Sequence, residues 1–429
     1  MIFLEKYYHS VTLDVDKCKG CTNCLKQCPT QAIRVRDGKA KIIKERCIDC
    51  GVCIRVCPYH AKKAITDSLS ELDKFEYKVA LPAPALYGQF PKVNDINKIL
   101  NALLGIGFDD CFEVAKGAEV VTNRTKELIK SGELMDITIS SACPAVLRLI
   151  SVRFPNLLNN VLPIKPPIEV AAYMARQEAV KKTGLSEDKI GLFFITPCPA
   201  KATSIKNPLS VAKSGIDGVI SIKDVYLKLA HKINSDSPPK NLQSAGFYGV
   251  SWANVGGEAE ALEEGKYIAV DGIHNVINIL EAVENEKLDD ISFIEALACP
   301  GGCVGGPLTV ENNYVAKSRI KETAKKLPKT KFSEDVDYNV LWEKPMEYNP
   351  IMNLDEDIFT AIQKASEIDK IYKGLPGLDC GSCGSPSCKC LAEDIVRNMA
   401  SETDCIFKLR EKVKTLSNEM NTLSKNLKG

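Results

Sequence analysis

The sequence predicts an α/β protein: a central domain of parallel sheets with flanking helices, a small α+β domain before it, and a small helical domain after it that ends in a coiled-coil helix. Three observations predict this. Short apolar runs alternate with amphipathic helical stretches from Val79 to about Trp342. A repeated cysteine run with its own hairpin signal occupies residues 1–66. A third group of cysteines near the C-terminus leads into a regular apolar heptad. At 429 residues the chain can hold several domains, each with its own core.

Composition narrows the class. Apolar residues make up 45% and charged residues 26%, which is ordinary for a globular protein. The net charge of +1 gives no footprint for nucleic acid or for a membrane surface. No apolar run approaches the ~20 residues of a membrane span. The start, Met1 to Tyr8, lacks a signal-peptide layout, so a cytoplasmic location is expected. Eighteen cysteines, mostly in tight Cys-x-x-Cys spacings, are too many for scattered core thiols. A disulfide framework is not expected in a large cytosolic chain. His9, His60, His231 and His274 are too dispersed for a histidine zinc site. All-thiolate ligation favours iron–sulfur clusters or zinc.

The N-terminal run Cys18-x2-Cys21-x2-Cys24-x3-Cys28-Pro29 recurs as Cys47-x2-Cys50-x2-Cys53-x3-Cys57-Pro58, every cysteine shifted by 29 residues. This is the bacterial two-cluster ferredoxin pattern. Three closely spaced thiolates grip one cuboidal cluster, and the fourth, before a proline, ligates the other. Cluster one therefore takes Cys18, Cys21, Cys24 and Cys57; cluster two takes Cys47, Cys50, Cys53 and Cys28. A zinc knuckle is the bland alternative, but it does not need the third cysteine of each run. Ala32–Arg36 and Lys41–Ile43 flank Asp37-Gly38, a hairpin signal. A polar stretch from Thr66 to Tyr77 leads out.

The central domain, 79–342, follows in order. Val79–Leu81 reads as a strand, and Ile96, Ile99, Leu100, Leu103 and Leu104 form a helical stripe. Ile137–Ile139 is a strand before Cys143, and Leu192–Ile195 is a strand before Cys198. Val219-Ile220 precedes a helix over Asp224–Ile233, and Ile291–Leu297 is a strand before Cys299. In parallel sheets ligands bind beyond the carboxyl ends of the strands. Cys143, Cys198, Cys299 and Cys303 all fall there, so the four could hold one cluster. Cys111 stands alone at the start of a helix and reads as a packed thiol.

Three segments carry a resemblance: Ser-Ala-Cys143-Pro, Thr-Pro-Cys198-Pro-Ala-Lys201, and Ala-Cys299-Pro-Gly-Gly-Cys303-Val-Gly-Gly. Over residues 79–310 they resemble, in order and content, the motifs that bind the H-cluster of FeFe-hydrogenases. The resemblance implies a 4Fe–4S cubane joined to a di-iron unit that carries CO, cyanide and an azadithiolate. It makes Cys143, Cys198 and Cys299 cubane ligands and Cys303 the bridge. Lys201 matches a lysine that hydrogen-bonds one cyanide. Pro84 and Ala85, in Pro82–Ala85, resemble the segment whose backbone donates to the other. Gly301, Gly302, Gly305 and Gly306 would let the backbone approach a bulky cofactor.

The chain also departs from that pattern. Ala142 stands where fast hydrogenases have a proton-passing cysteine, and Thr196 and Leu297 stand where methionines flank the di-iron unit. Of the glutamate pair that continues the proton path, Glu127 remains, with Asn123-Arg124 nearby. The third motif ends in a short Gly305-Gly306-Pro307-Leu308. Ligands kept with a lost proton shuttle resemble the sensory branch of the family. That implies slow reversible interconversion of H2 with protons and electrons, because losing a catalytic acid or base costs about 10²–10⁴-fold. Electrons would pass through the 4Fe–4S clusters to ferredoxin or another redox partner. Maturation enzymes would install the di-iron unit. The rival readings are a non-enzymatic hydrogen sensor and a hydrogenase-like iron–sulfur assembly or electron-transfer protein lacking the di-iron unit.

Past Pro345 and Pro350, residues 343–376 read as a linker with a helix over Asp355–Ile368. Cys380, Cys383, Cys388 and Cys405, in 377–405, could clasp one further 4Fe–4S cluster, with Cys390 a bystander. The pattern resembles the closing cluster domain of corrinoid iron–sulfur proteins and Rnf-type subunits. From Ile406 through Leu409, Val413, Leu416, Met420, Leu423 and Leu427, apolar residues step by 3 and 4. That is a coiled-coil seam over 406–429 and predicts a homodimer; the alternative is a helix packed on its own domain.

Overall fold

Each half of the cysteine repeat forms a loop closed by one helical turn. The computed structural model describes residues 8–233, 240–263, 265–329 and 338–426. The N-terminal part contains β1 (Val11–Leu13), the turn α1 (Asn23–Lys26) and the antiparallel hairpin of β2 (Ile33–Arg36) and β3 (Lys39–Ile42). The turn α2 (Val52–Arg55) and β4 (Lys62–Ala64), which pairs with β1, complete it. The hairpin turns at Asp37 and Gly38, with φ of 54° and 68°. Two positive φ values in a two-residue loop are the type I′ geometry that an Asp-Gly pair favours.

The central part is built on two parallel sheets. In chain order it begins with β5 (Tyr77–Pro82), α3 (Ile96–Leu104), β6 (Asp110–Cys111), α4 (Val114–Ser131), β7 (Thr138–Ile139) and α5 (Pro144–Arg153). There follow α6 (Pro167–Thr183), β8 (Ile190–Thr196), α7 (Pro199–Lys206), β9 (Gly218–Ser221) and α8 (Ile222–Lys232). It ends with α9 (Phe247–Ser251), α10 (Gly257–Leu262), β10 (Tyr267–Asp271), α11 (Ile273–Glu284), β11 (Phe293–Leu297) and α12 (Asn313–Ala324). One sheet has the order β6-β5-β8-β9 and the other β10-β11-β7. Every pairing in both is parallel.

Strand β8 shows why the sheet forms. Its seven residues, Ile-Gly-Leu-Phe-Phe-Ile-Thr, are all buried, as expected of a strand covered on both faces. Alternation sorts them: Phe193 and Ile195 join one apolar core, Leu192 and Phe194 the other. Two details differ from the sequence reading. Cys111 lies on the short strand β6, ahead of α4, and its thiol donates to the carbonyl of Leu100 at 3.4 Å. Strand β10, too short and too exposed at Tyr267 to announce itself, completes the second sheet.

The C-terminal part holds α13 (Ile358–Gly374), α14 (Cys388–Val396) and α15 (Ile406–Asn426). The first starts three residues later than predicted, because Asp357 caps it by accepting from the N–H of Thr360 at 2.8 Å. Ile368, Leu391 and Ala392 make a small core with Cys388 and Cys405. The seam residues Ile406 to Leu423 are exposed on α15, between 44% for Ile406 and 70% for Met420. They are not packed on their own domain. Leu427 lies outside the described residues.

Two compact units result. Residues 8–11, 48–51 and 64–349 form one; residues 12–47, 52–63 and 350–426 form the other. Most of the N-terminal repeat therefore folds with the C-terminal part. The join is a buried ion pair. Arg34 donates through Nε and Nη2 to the two oxygens of Asp394 at 2.6 and 2.8 Å, and both side chains are almost wholly buried. The Ser385 hydroxyl and Arg36 also donate to Asp394, at 2.7 and 3.2 Å. Asp394→Ala would leave the buried Arg34 guanidinium, and the partly buried Arg36, short of a partner, which should cost about 3–5 kcal/mol. Urea unfolding of this unit should read that loss, and an Arg34→Met, Asp394→Leu double variant should recover most of it.

Candidate metal centres

The first centre lies at the carboxyl ends of the two parallel sheets. Cys143 follows β7 and is the cap residue of α5; Cys198 follows β8 and is the cap residue of α7. A proline occupies the first turn of each helix, where its missing N–H is harmless. Thr196 fixes the turn at Cys198: its hydroxyl accepts from the Cys198 N–H and donates to the Cys198 carbonyl, both at 3.1 Å. Cys299 follows β11, and Cys303 opens a short 3₁₀ turn.

Electrostatics tie these four thiols to one another and to Lys201. Burial, then the neighbouring Cys299 and Cys143, pushes the Cys198 thiol well up, while Lys201 pulls it back. Burial likewise raises Cys143, which also feels Cys303 and Lys201. For Lys201, burial opposes the charge, yet Cys303, Cys198, Cys143 and Cys299 together raise its pKa. Its amine lies 3.9 Å from Cys303 Sγ. Four thiols converging on one amine form a donor set suited to an anionic cluster, and thiolate is the ligand that iron–sulfur clusters take. Pro84 and Ala85 sit in a wholly buried turn at the carboxyl end of β5. Ala142, beside Cys143, has no titratable group.

The glycines of the third motif lie against neighbouring backbone. A Cβ on Gly302 would come within 2.5 Å of the Val255 nitrogen, and one on Gly305 or Gly306 would overlap the carbonyl of Pro300 or Pro197. They admit neighbouring backbone at these three positions. Glu127 is exposed and paired with Arg124 at 2.6 Å. Among the buried acids are Glu258 on α10 and Glu295 on β11. Ser140 donates to Glu258 at 2.6 Å and accepts from the Ala142 N–H at 3.2 Å. Burial, then the charge of Glu295, pushes Glu258 up to about 8; burial pushes Glu295 to about 7, against N–H bonds from Ala259 and Gly256. Neither residue had a signal in the sequence, since a lone Glu in a helix or strand reads as surface charge.

In the other unit a small pocket is lined by Cys18, Cys21, Cys24 and Cys57, with Val35, Ala40 and Lys62 among its walls. The amine of Lys62 is buried there and has no hydrogen-bond partner among the described residues. Burial raises the Cys24 thiol, and Lys62 draws it down. An orphaned buried cation among four thiols fits an anionic cluster. Cys28, Cys47, Cys50 and Cys53 occupy the equivalent repeat positions. In the C-terminal part, burial raises Cys383, which feels both Cys380 and Cys405. Hydrogen bonds from Ser382 hold Cys380 below the ordinary thiol range. Cys390 points elsewhere, donating to Gln31 Oε1 at 2.8 Å.

Comparison with known proteins follows the same division. The family described as iron only hydrogenase large subunit, C-terminal domain, matches residues 76–263 and 226–307. A 4Fe–4S dicluster domain family matches residues 10–58, and an Fe–S cluster family matches residues 375–407. Iron hydrogenase 1 of Clostridium pasteurianum is 25% identical over 380 residues, covering 71% of this chain and 65% of its own length. The periplasmic Fe hydrogenase large subunit of Nitratidesulfovibrio vulgaris is 26% identical over 365 residues, covering 70% of this chain and 86% of its own. A solved apo FeFe-hydrogenase variant from Chlamydomonas reinhardtii has a TM-score of 0.49 at 14% identity, over 65% of this chain and 98% of that one. Among the described residues no helix is long and apolar enough to cross a membrane.

Two measurements test these sites. Lys62→Met should lower the midpoint potential of one N-terminal cluster by on the order of 60 mV, a tenfold change in a one-electron equilibrium, with Lys62→Arg close to the parent in a redox titration followed by EPR. The glutamate pair gives a pH signature. Native Glu258 and Glu295 hold protons that unfolded carboxylates have released, so stability falls as pH rises from the ordinary carboxylate range towards about 8. The thermal midpoint should show that fall, and Glu258→Gln should flatten it.

Proposed function

The chain belongs to the iron-only hydrogenase family, whose profile covers more than half of it, and we propose that it catalyses slow, reversible interconversion of H2 with protons and electrons as a hydrogen-responsive enzyme of the sensory type. The observation that carries this is the convergence of Cys143, Cys198, Cys299 and Cys303 on Lys201 at the ends of two parallel sheets. Bound there, a cubane with its di-iron unit supplies the redox chemistry of H2. The protein's part is to hold that group, balance its charge and move protons. Cys143, Cys198, Cys299 and Cys303 would hold the group, and Lys201 would offset its negative charge. Pro84 and Ala85 bound the pocket on the β5 side.

Proton supply is where this chain differs from fast hydrogenases. Ala142 cannot pass a proton. Glu258, hydrogen-bonded to Ser140 two residues before Ala142, holds one near neutrality, as a general acid or base should. Glu295 lies behind it and senses Lys317 towards the surface. The Ser140–Glu258–Glu295 line is the proposed substitute route. It explains a low rate, because the proton must still cross from Ser140 to the reacting group without a side chain at position 142.

Cys18, Cys21, Cys24 and Cys57 would hold one 4Fe–4S cluster, Cys28, Cys47, Cys50 and Cys53 a second, and Cys380, Cys383, Cys388 and Cys405 a third, and these groups would supply the route for electrons. The exposed seam of α15, with its heptad spacing, is proposed to pair with a second copy of the chain, in the cytoplasm, and to pass redox state to a partner.

Anaerobically matured protein should reduce a low-potential dye under H2, and Cys303→Ala should abolish this. Glu258→Gln should lower turnover about 10²–10⁴-fold, while Glu127→Gln leaves it unchanged. A Glu127→Gln loss with an unaffected Glu258→Gln would place the route on α4 instead.

A further inference from the structure

The C-terminal cysteines and the first N-terminal set belong to one unit, and the walls of their sites are shared. Val35 lines the cavity of Cys18, Cys21, Cys24 and Cys57. Its backbone N–H donates at 2.9 Å to the carbonyl of Gly384, the residue after Cys383. Gly384 has φ of 76°, and any Cβ there would overlap the Val35 carbonyl, so only glycine allows this approach. Arg36 donates to the carbonyl of Cys383 itself at 2.9 Å. A second seam runs alongside. A Cβ on Gly381, next to Cys380, would lie 3.4 Å from Leu25 and 3.2 Å from Lys26, the residues after Cys24. On each seam two residues, Val35 with Gly384 or Leu25 with Gly381, lie between one set of thiols and the other.

The clamp around these seams is polar and buried. It comprises Arg34 and Arg36 on Asp394, and Arg46 on Glu393 at 2.6 Å. Buried ion pairs contribute little net stability, and their best-attested use is to fix a register. Here the register they fix is that of one cysteine set against the other.

We propose that the C-terminal cluster exchanges electrons directly with cluster one across strand β2, and that the Arg34–Asp394 clamp sets that contact. The proposal rests on the cluster assignments above and deepens the electron path. The step moves one electron: the donor cubane rises by one oxidation level and the acceptor falls by one, with no bond made or broken. The C-terminal cluster is then the outer terminal of the relay, immediately before α15, which starts at the residue after Cys405.

The test uses the full chain with all clusters reconstituted and chemically reduced, examined by low-temperature EPR beside iron analysis. A Cys405→Ala variant removes the C-terminal cluster. A Gly384→Val variant keeps every cysteine but forces the seam apart. Direct contact predicts a spin–spin splitting in the parent that is lost in Cys405→Ala and weakened in Gly384→Val at unchanged iron content. The proposal is overturned if the parent spectrum is the simple sum of the Cys405→Ala spectrum and an unsplit fourth signal. It is equally overturned if Cys405→Ala loses no iron. Neither readout depends on hydrogen turnover, so a failure here is separate from a failure of the catalytic reading.

Discussion

The architecture depends on one constraint: thiols that would otherwise repel as thiolates must be gathered in dry pockets and given a counter-charge. In the central site the pockets come from parallel sheets. Strands β7 and β11 run parallel in one sheet and β8 runs parallel to its neighbours in the other, and Cys143, Cys299 and Cys198 follow the carboxyl ends of these strands. The counter-charge is Lys201, one turn into α7 from Cys198. The N-terminal site repeats the principle with Lys62 as its cation. In both places a lysine buried against cysteines would be an expensive arrangement if nothing anionic were meant to bind there.

The second theme is where the protein keeps its protons. Fast proton transfer needs an ionisable group at the reacting centre, and position 142 has only a methyl group. The nearest buried acids sit behind Ser140, held there by backbone N–H groups that satisfy Glu295 without neutralising it. Two carboxyls buried together cannot both ionise easily, so burial and mutual repulsion raise their pKa values towards neutrality.

Much of this was legible in the sequence, and the limits have physical reasons. Cysteine spacing is local chemistry, so the repeat, the central motifs and the C-terminal group could be read directly. Strands such as Leu192–Ile195 announced themselves because they are buried on both faces. The Asp-Gly hairpin was legible for the same local reason. What could not be read was tertiary partnership. Nothing in Arg34, Asp394 or Gly384 alone reveals that β2 is the seat of the C-terminal part, because the pairing spans 360 residues. Glu258 and Glu295 were invisible for the same reason: their acidity comes from burial. Glu127 drew notice by its place near the expected path, yet it faces solvent. The close backbone approach at Gly302, Gly305 and Gly306 was likewise not legible, because the neighbours lie far away in sequence or across a turn.

The central claim is that the pocket of Cys143, Cys198, Cys299, Cys303 and Lys201 holds a di-iron unit with diatomic ligands. Infrared spectroscopy of the anaerobically matured protein, first under argon and then under hydrogen, tests it most directly. The account predicts sharp CO and cyanide bands that shift when hydrogen is admitted. Properly matured protein with full iron content but no such bands would contradict it, and would leave a multi-cluster protein for electron transfer or cluster assembly.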